Sequence, residues 1–137
     1  MGKKINDSMT ANPCVIEADK PVSYAAKMMR DEDVGFAPIV EGDRLVGSLT
    51  DRDIAIKVVA EGRDPDATSV REVATSNLIT VDPEDDLDQA MRLMARHQVR
   101  RLAVVEGSRL VGVVAQADVA RDAKAKQTGE VVEEISQ

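Results

Sequence analysis

The sequence predicts an α/β fold, α+β in detail, made of one small strand–helix–strand–strand–helix unit present twice. Three observations lead there. The first is internal repetition, which decides architecture before any single element does. An offset of 65 residues sets Thr10 on Thr75, Asn12 on Asn77, Ala25 on Ala90, Met29 on Met94 and Val34 on Val99 without a gap. It also sets Val40-Glu41-Gly42 on Val105-Glu106-Gly107, Arg44-Leu45-Val46-Gly47 on Arg109-Leu110-Val111-Gly112, and Asp53 and Ala55 on Asp118 and Ala120. The second is helical periodicity at matching places. Val22, Ala25, Ala26 and Met29 recur at i, i+3, i+4 and i+7, as do Leu87, Ala90, Met91 and Met94. The third is a pair of strand-length apolar runs in each copy, joined by a short connection containing glycine, as a hairpin requires.

Each copy opens with a short strand, Cys14-Val15-Ile16 in one and Ile79-Thr80-Val81 in the other, ended by Asp, Pro and Lys breakers. A helix follows. In the second copy Asp85, Asp86 and Asp88 crowd its start, where the helix dipole favours negative charge. The hairpins run Phe36 to Val40 with Leu45 to Leu49, and Arg101 to Val105 with Leu110 to Val114. A last helix starts near Asp51 and near Gln116. This places the first copy at residues 5–60, a polar linker at 61–69, the second copy at 70–123 and a loose tail at 124–137. Val70 to Ala74 reads as a helical turn. A three-stranded sheet with two helices leaves one face poorly covered. The two copies are therefore expected to pack sheet to sheet about a pseudo-two-fold axis, leaving clefts suited to small ligands.

Composition narrows the function classes. Of 137 residues 43% are apolar, yet the aromatics are only Phe36 and Tyr24, so the core must be aliphatic. The net charge of -7, with no basic stripe, argues against nucleic-acid binding. A local Arg pair can still hold a small anion, because distant charges are screened over about 10 Å. Cys14 is the only cysteine, which excludes an intramolecular disulfide and suits a reducing cytoplasm. No run is long and apolar enough for a signal peptide or a membrane span, so a cytoplasmic protein without membrane contact is expected.

Three stretches carry a family resemblance: Ile5-Asn6-Asp7-Ser8-Met9-Thr10, Ala37-Pro38-Ile39-Val40 and Gly47-Ser48-Leu49-Thr50-Asp51-Arg52-Asp53. In order and spacing they resemble cystathionine-β-synthase (CBS) domains, whose closing motif is Gly-x-x-Thr-x-x-Asp. The resemblance covers residues 5–123 and comes twice, so the pair resembles a stand-alone Bateman module. Leu49 to Ile54 with His97 to Arg101 is similar, more narrowly, to small actinobacterial pairs of the hypoxic-response-protein type. The resemblance implies a bacterial regulatory module that signals by binding AMP, ADP or ATP, or less readily S-adenosylmethionine or NAD, in the cleft between the copies. It also implies a homodimer, a regulated partner protein of unknown identity and no required cofactor. In the family the motif's Asp takes ribose hydroxyls and its Thr meets phosphate.

Thr50-x-x-Asp53 makes physical sense without the family. It follows a strand and opens a helix, whose free N–H groups and partial positive charge suit phosphate. The plainer reading is a capping box, in which Asp53 satisfies a backbone donor; both roles can coexist. The second copy departs from the motif, with Ala115 for Thr50 and Gln116 for Asp51, while Asp118 is retained. At most one fully furnished cleft is therefore expected, with Thr50 and Asp53 its better candidate. Arg101, and after it Arg100, are the anion candidates by resemblance; otherwise they are solvated or paired with Glu32 or Asp33. Val15, Ile16, Leu78 and Ile79 would flank the base, or else are ordinary core residues, and Val34 and Val99 are equally ambiguous. Phe36 could stack on a base or simply pack. Met28, Met29, Met91 and Met94 read as helix-face core and Cys14 as a buried small hydrophobe. His97 lacks any second ligand, so neither metal nor acid–base duty is expected of it.

Three functions compete. The first is a ligand-sensing module, and the second a non-catalytic structural or interaction dimer with degenerate or empty clefts, which Ala115 favours. The third, an enzyme, finds no nucleophile–base pair, metal cluster or phosphate-cradling glycine loop.

Overall fold

The computed structural model of the chain describes residues 3–121, so the expected tail from Lys124 lies outside the described residues. Packing divides the chain into two units. One holds Asn12–Leu78 and Gly107–Leu110; the other holds the described residues up to Ala11, Ile79–Glu106 and those from Val111 on. Each repeat's leading segment thus belongs with the core of the other repeat. Residues 5–11 go with the second, and their equivalents 70–76 go with the first.

In the first unit β2 (Ile16–Glu17) runs parallel to β3 (Phe36–Glu41). Such a pair needs a crossover, and α2 (Val22–Glu32) supplies it. β3 turns through Gly42, at φ +67°, into antiparallel β4 (Arg44–Thr50). Val22, Ala25 and Met29 of α2 are buried in one cluster with Ile16, Ile39 and Leu49. Ala26 stays exposed, so the apolar stripe is narrower than its periodicity predicts. β4 passes directly into α3 (Asp51–Ile54), which continues as a π-helical turn, Ala55–Val59. The predicted linker is well anchored: Thr68 is buried, its hydroxyl donates to Asp64 O at 2.8 Å and its carbonyl accepts Val22 N–H at 2.8 Å. α4 (Val70–Val73) follows and buries Val70 and Val73 in the same core.

The second unit repeats the plan. β5 (Thr80–Val81) is parallel to β6 (Arg101–Glu106), with α5 (Leu87–His97) between them in sequence, and β6 lies beside β7 (Arg109–Ala115). Leu87, Ala90 and Met94 are buried with Leu102, Val104 and Val114. Residues 116–121 are helical. The leading segment forms α1 (Ile5–Ser8) and β1 (Thr10–Ala11), and β1 pairs antiparallel with β7 through Thr10↔Val113 and Ala11↔Gly112.

The duplicated Gly47 and Gly112 have one cause. Thr75 exchanges backbone bonds with Ser48 at 2.9 and 2.8 Å, and a Cβ on Gly47 would stand 3.1 Å from Thr75 O. A Cβ on Gly112 would stand 2.9 Å from Thr10 O and 2.7 Å from Met9 Sδ. In both units the leading segment crosses a strand at a glycine, tightly over Gly47 and too closely for a Cβ over Gly112.

Three expectations are corrected. The opening strands begin later than the apolar runs, so Cys14, Val15 and Ile79 precede them. Cys14 is exposed rather than buried. Met91 is 49% exposed, because the sheet covers only one side of α5 and Met91 occupies the position of the exposed Ala26.

Candidate functional site

Thr50 is the last residue of β4 and the N-cap of α3, with extended φ and ψ of -116° and 162°. Its hydroxyl accepts Asp53 N–H at 3.0 Å, and its own N–H donates to Asp53 Oδ2 at 2.9 Å. This is a complete capping box, so the plainer reading of the motif is fulfilled. The other carboxylate oxygen, Oδ1, faces Lys57 Nζ at 3.3 Å, and the Asp53 side chain is 17% exposed. Lys57 Nζ also donates to Val73 O at 3.0 Å.

At the equivalent turn of the second unit, half of this survives. Ala115 N–H donates to Asp118 Oδ2 at 3.1 Å, but no hydroxyl stands at 115 to receive Asp118 N–H. Asp118 Oδ1 accepts from Arg121 Nη2 at 2.7 Å. Keeping Asp118 where Thr is lost therefore has a structural reason, namely the cap on Ala115 N–H.

The next residue distinguishes the repeats further. Asp51 N–H donates to Gly35 O at 2.9 Å, and Gln116 N–H donates to Arg100 O at 2.7 Å. A Cβ on Gly35 would lie 2.8 Å from Asp51 Oδ2. The carboxylate lies over a bare backbone in the first unit, and Arg100 and Gln116 replace that pair in the second. Arg100 and Arg101 are both exposed at the head of β6.

The strand register brings some of the remaining candidates together. Phe36 is half-buried and directly opposite Thr50. Because β2 is parallel to β3, the approach through Val15 enters at the end of the sheet where β4 hands over to α3. Val15 is 39% exposed and so is not a core residue, whereas Ile16 is buried in the core. Leu78 and Ile79 are half-buried, Ile79 against the second core, and they fall in different units. Val34 and Val99 are exposed. Val34 borders a groove of about 300 Å³ with Ala26, Met29, Arg30, Asp51 and Ile54. An equivalent groove of about 290 Å³ is lined by Met91, Met94, Ala95, Gln116, Val119 and Ala120. Neither groove includes Thr50, Asp53 or Asp118, so these cavities mark the helical side of each unit and not the motif.

Sequence reasoning missed Lys57, although an Asp–Lys pair four apart is a known helix signal. It also missed Glu72, whose carboxyl is held below its ordinary value, first by Ser69 N–H and then by the Ser69 hydroxyl and Arg63. Among the described residues no group of three His, Cys, Asp or Glu side chains is placed to hold a metal, and no helix is long and apolar enough to cross a membrane.

Comparison with known proteins bears on this geometry. The family model described as the CBS domain matches residues 3–60 and again 70–124. The CBS domain-containing protein YhcV of Bacillus subtilis is 41% identical over 116 residues, 85% of this chain and 82% of that one. Hypoxic response protein 1 of Mycobacterium tuberculosis is 40% identical, over 84% of this chain and 81% of that one. A crystal structure of Hypoxic Response Protein I with two coordinated zinc ions aligns with a TM-score of 0.80 at 39% identity, covering 88% of this chain and 98% of that one. The CBS domain pair of MJ0100, in complex with 5′-methylthioadenosine and S-adenosyl-L-methionine, aligns with a TM-score of 0.82 at 26% identity, over 92% and 99%.

Proposed function

The chain belongs to the CBS domain family, and on that premise we propose that it is a non-catalytic regulatory module whose Thr50–Asp53 turn receives an adenosine-containing ligand. The observation that carries the reading is the turn itself. A strand end, a hydroxyl and an acidic residue of low exposure converge at the first turn of a helix, with Phe36 opposite and Val15 at the same end of the sheet. Asp53 would take ribose hydroxyls, since each carboxylate oxygen holds one partner and retains further acceptor capacity. Thr50 and the helix start suit phosphate. AMP, ADP and ATP are the first choices. S-adenosylmethionine gains support from the ligands of the MJ0100 pair, and NAD comes last. Arg100 and Arg101 are the anion candidates, and the Asp118 turn, without a hydroxyl, is the weaker position.

A homodimer is part of the reading. Ile56, 47% exposed, and Val59, 72% exposed, stand three apart on one helical turn, and such a paired apolar face suits self-association. Light scattering across a concentration series measures it. A second function, an interaction protein with no ligand, is favoured by the satisfied state of Asp53 and Asp118. A thermal-shift screen with AMP, ADP, ATP, S-adenosylmethionine and NAD separates the two. A ligand at a hundred times its dissociation constant adds about 2.7 kcal/mol, several degrees for a domain of this size. No shift with any of the five at millimolar concentration overturns the sensing reading.

A further inference from the structure

Lys57 holds two groups that sequence places far apart. Its ammonium lies 3.3 Å from Asp53 Oδ1 and 3.0 Å from Val73 O. Val73 ends α4, where the closing bond, Ala74 N–H to Val70 O, leaves the Val73 carbonyl without a donor from its own helix. Two residues on, Thr75 is locked to Ser48 by both backbone bonds, and Ser48 lies two residues before Thr50 on β4. Residues 70–75 are thus pinned at two points, and both adjoin the Thr50–Asp53 turn.

We propose that Lys57 is the positioning residue of this turn and the link through which its occupancy reaches residues 70–75, the leading segment of the second repeat. The proposal rests on the ligand reading above. A hydroxyl donated to Asp53 Oδ1 shares that oxygen with the ammonium, and a phosphate near Thr50 attracts the same charge. Either event changes the hold of Lys57 on Val73 O. Coupling is reciprocal, so whatever the ligand does to residues 70–75, fixing those residues does to the ligand's affinity.

The second repeat carries a different residue at the linking position. Asp122 occupies the position equivalent to Lys57 in sequence, and among the described residues Asp118 is held instead by Arg121 of its own helical turn, whose side chain is 73% exposed. The coupling is therefore proposed for the first repeat.

Amide hydrogen exchange on the full chain, paired with calorimetric titration, tests this. In the free protein Lys57→Met speeds exchange of the Ala74 and Thr75 amides, and Lys57→Arg restores the wild-type rate. With the wild type, saturating ATP changes exchange at those amides. With Lys57→Met, ATP binds at least about fivefold more weakly, the lower end of ordinary coupling, and leaves them unaffected. Lys57→Gln, uncharged but still a donor, replaces the Met variant if that one folds poorly. A Lys57→Met protein that binds ATP as the wild type does, with the same effect at Ala74 and Thr75, overturns this proposal alone. A wild type that binds none of AMP, ADP, ATP, S-adenosylmethionine and NAD overturns the ligand reading, and the coupling falls with it. Where another of the five binds and ATP does not, that ligand replaces ATP in the same test.

Discussion

At the scale of single residues, the two repeats differ most at Thr50 and Ala115. A Thr N-cap satisfies the N–H of the third helical residue, and loss of such a cap costs about 1 kcal/mol. Ala115→Thr is therefore expected to stabilise the protein by about that amount, read as a shift of the urea midpoint at constant slope. An unchanged midpoint would mean that Asp118 N–H already has a partner. Gly112 offers the opposite case. Gly112→Ala places a methyl 2.9 Å from the backbone of Thr10, which cannot move away as a side chain can. It should cost about 1–3 kcal/mol, as overpacking does. Gly107 has an open surround, so Gly107→Ala is strained only through its positive φ of +64°.

Between elements, helix ends decide local stability, and one titrates. Ser69 N–H holds the Glu72 carboxyl below its ordinary value of 4.5. A depressed pKa contributes stability above the unfolded value and loses it as pH falls through the folded one. The melting temperature of Glu72→Gln should accordingly trail the wild type at neutral pH, and the gap should close as the medium is acidified below 4.5. A gap independent of pH would remove the charge from the account. Both long helices end in a left-handed residue, Asp33 and Gln98, each at φ 55°. Asp tolerates that region and Gln does so less well. Gln98→Gly relieves a left-handed cost of about 1–2 kcal/mol against about 0.5–1 kcal/mol of glycine's extra unfolded entropy. It is thus expected to stabilise by about 0.5–1 kcal/mol in thermal or urea unfolding, and a loss of stability would contradict the strain assigned to Gln98. The helices themselves were legible because three or four apolar positions at helical spacing are hard to produce otherwise. The short strands were not: β2 and β5 take their bounds from pairing with β3 and β6, which apolarity at Cys14, Val15 and Ile79 does not encode.

For the whole molecule, the duplication was legible and its packing consequence was not. The 65-residue offset reveals two copies, but nothing in it indicates that residues 70–76 pack with the first core and residues 5–11 with the second. The clue lay in the paired glycines, Gly47 and Gly112, whose need for space appears only when Thr75 and Thr10 cross them. The candidate site was readable in outline, since a Thr and an Asp three apart at a strand-to-helix turn have few uses. Its electrostatic partner, Lys57, was readable from the i,i+4 spacing to Asp53, but its bond to the carbonyl of Val73, sixteen residues on, was not. In the proposed function Asp53 both caps α3 and receives ligand. Calorimetric titration of Asp53→Asn with ATP and with S-adenosylmethionine tests it most directly, because Asn keeps an oxygen for Thr50 N–H while removing the charge. The wild type is expected to bind at least one of the two, and the variant to bind it at least about tenfold more weakly with nearly the wild-type melting temperature. Equal affinity in the two proteins, or binding by neither, would rule out Asp53 as the acceptor of these two ligands.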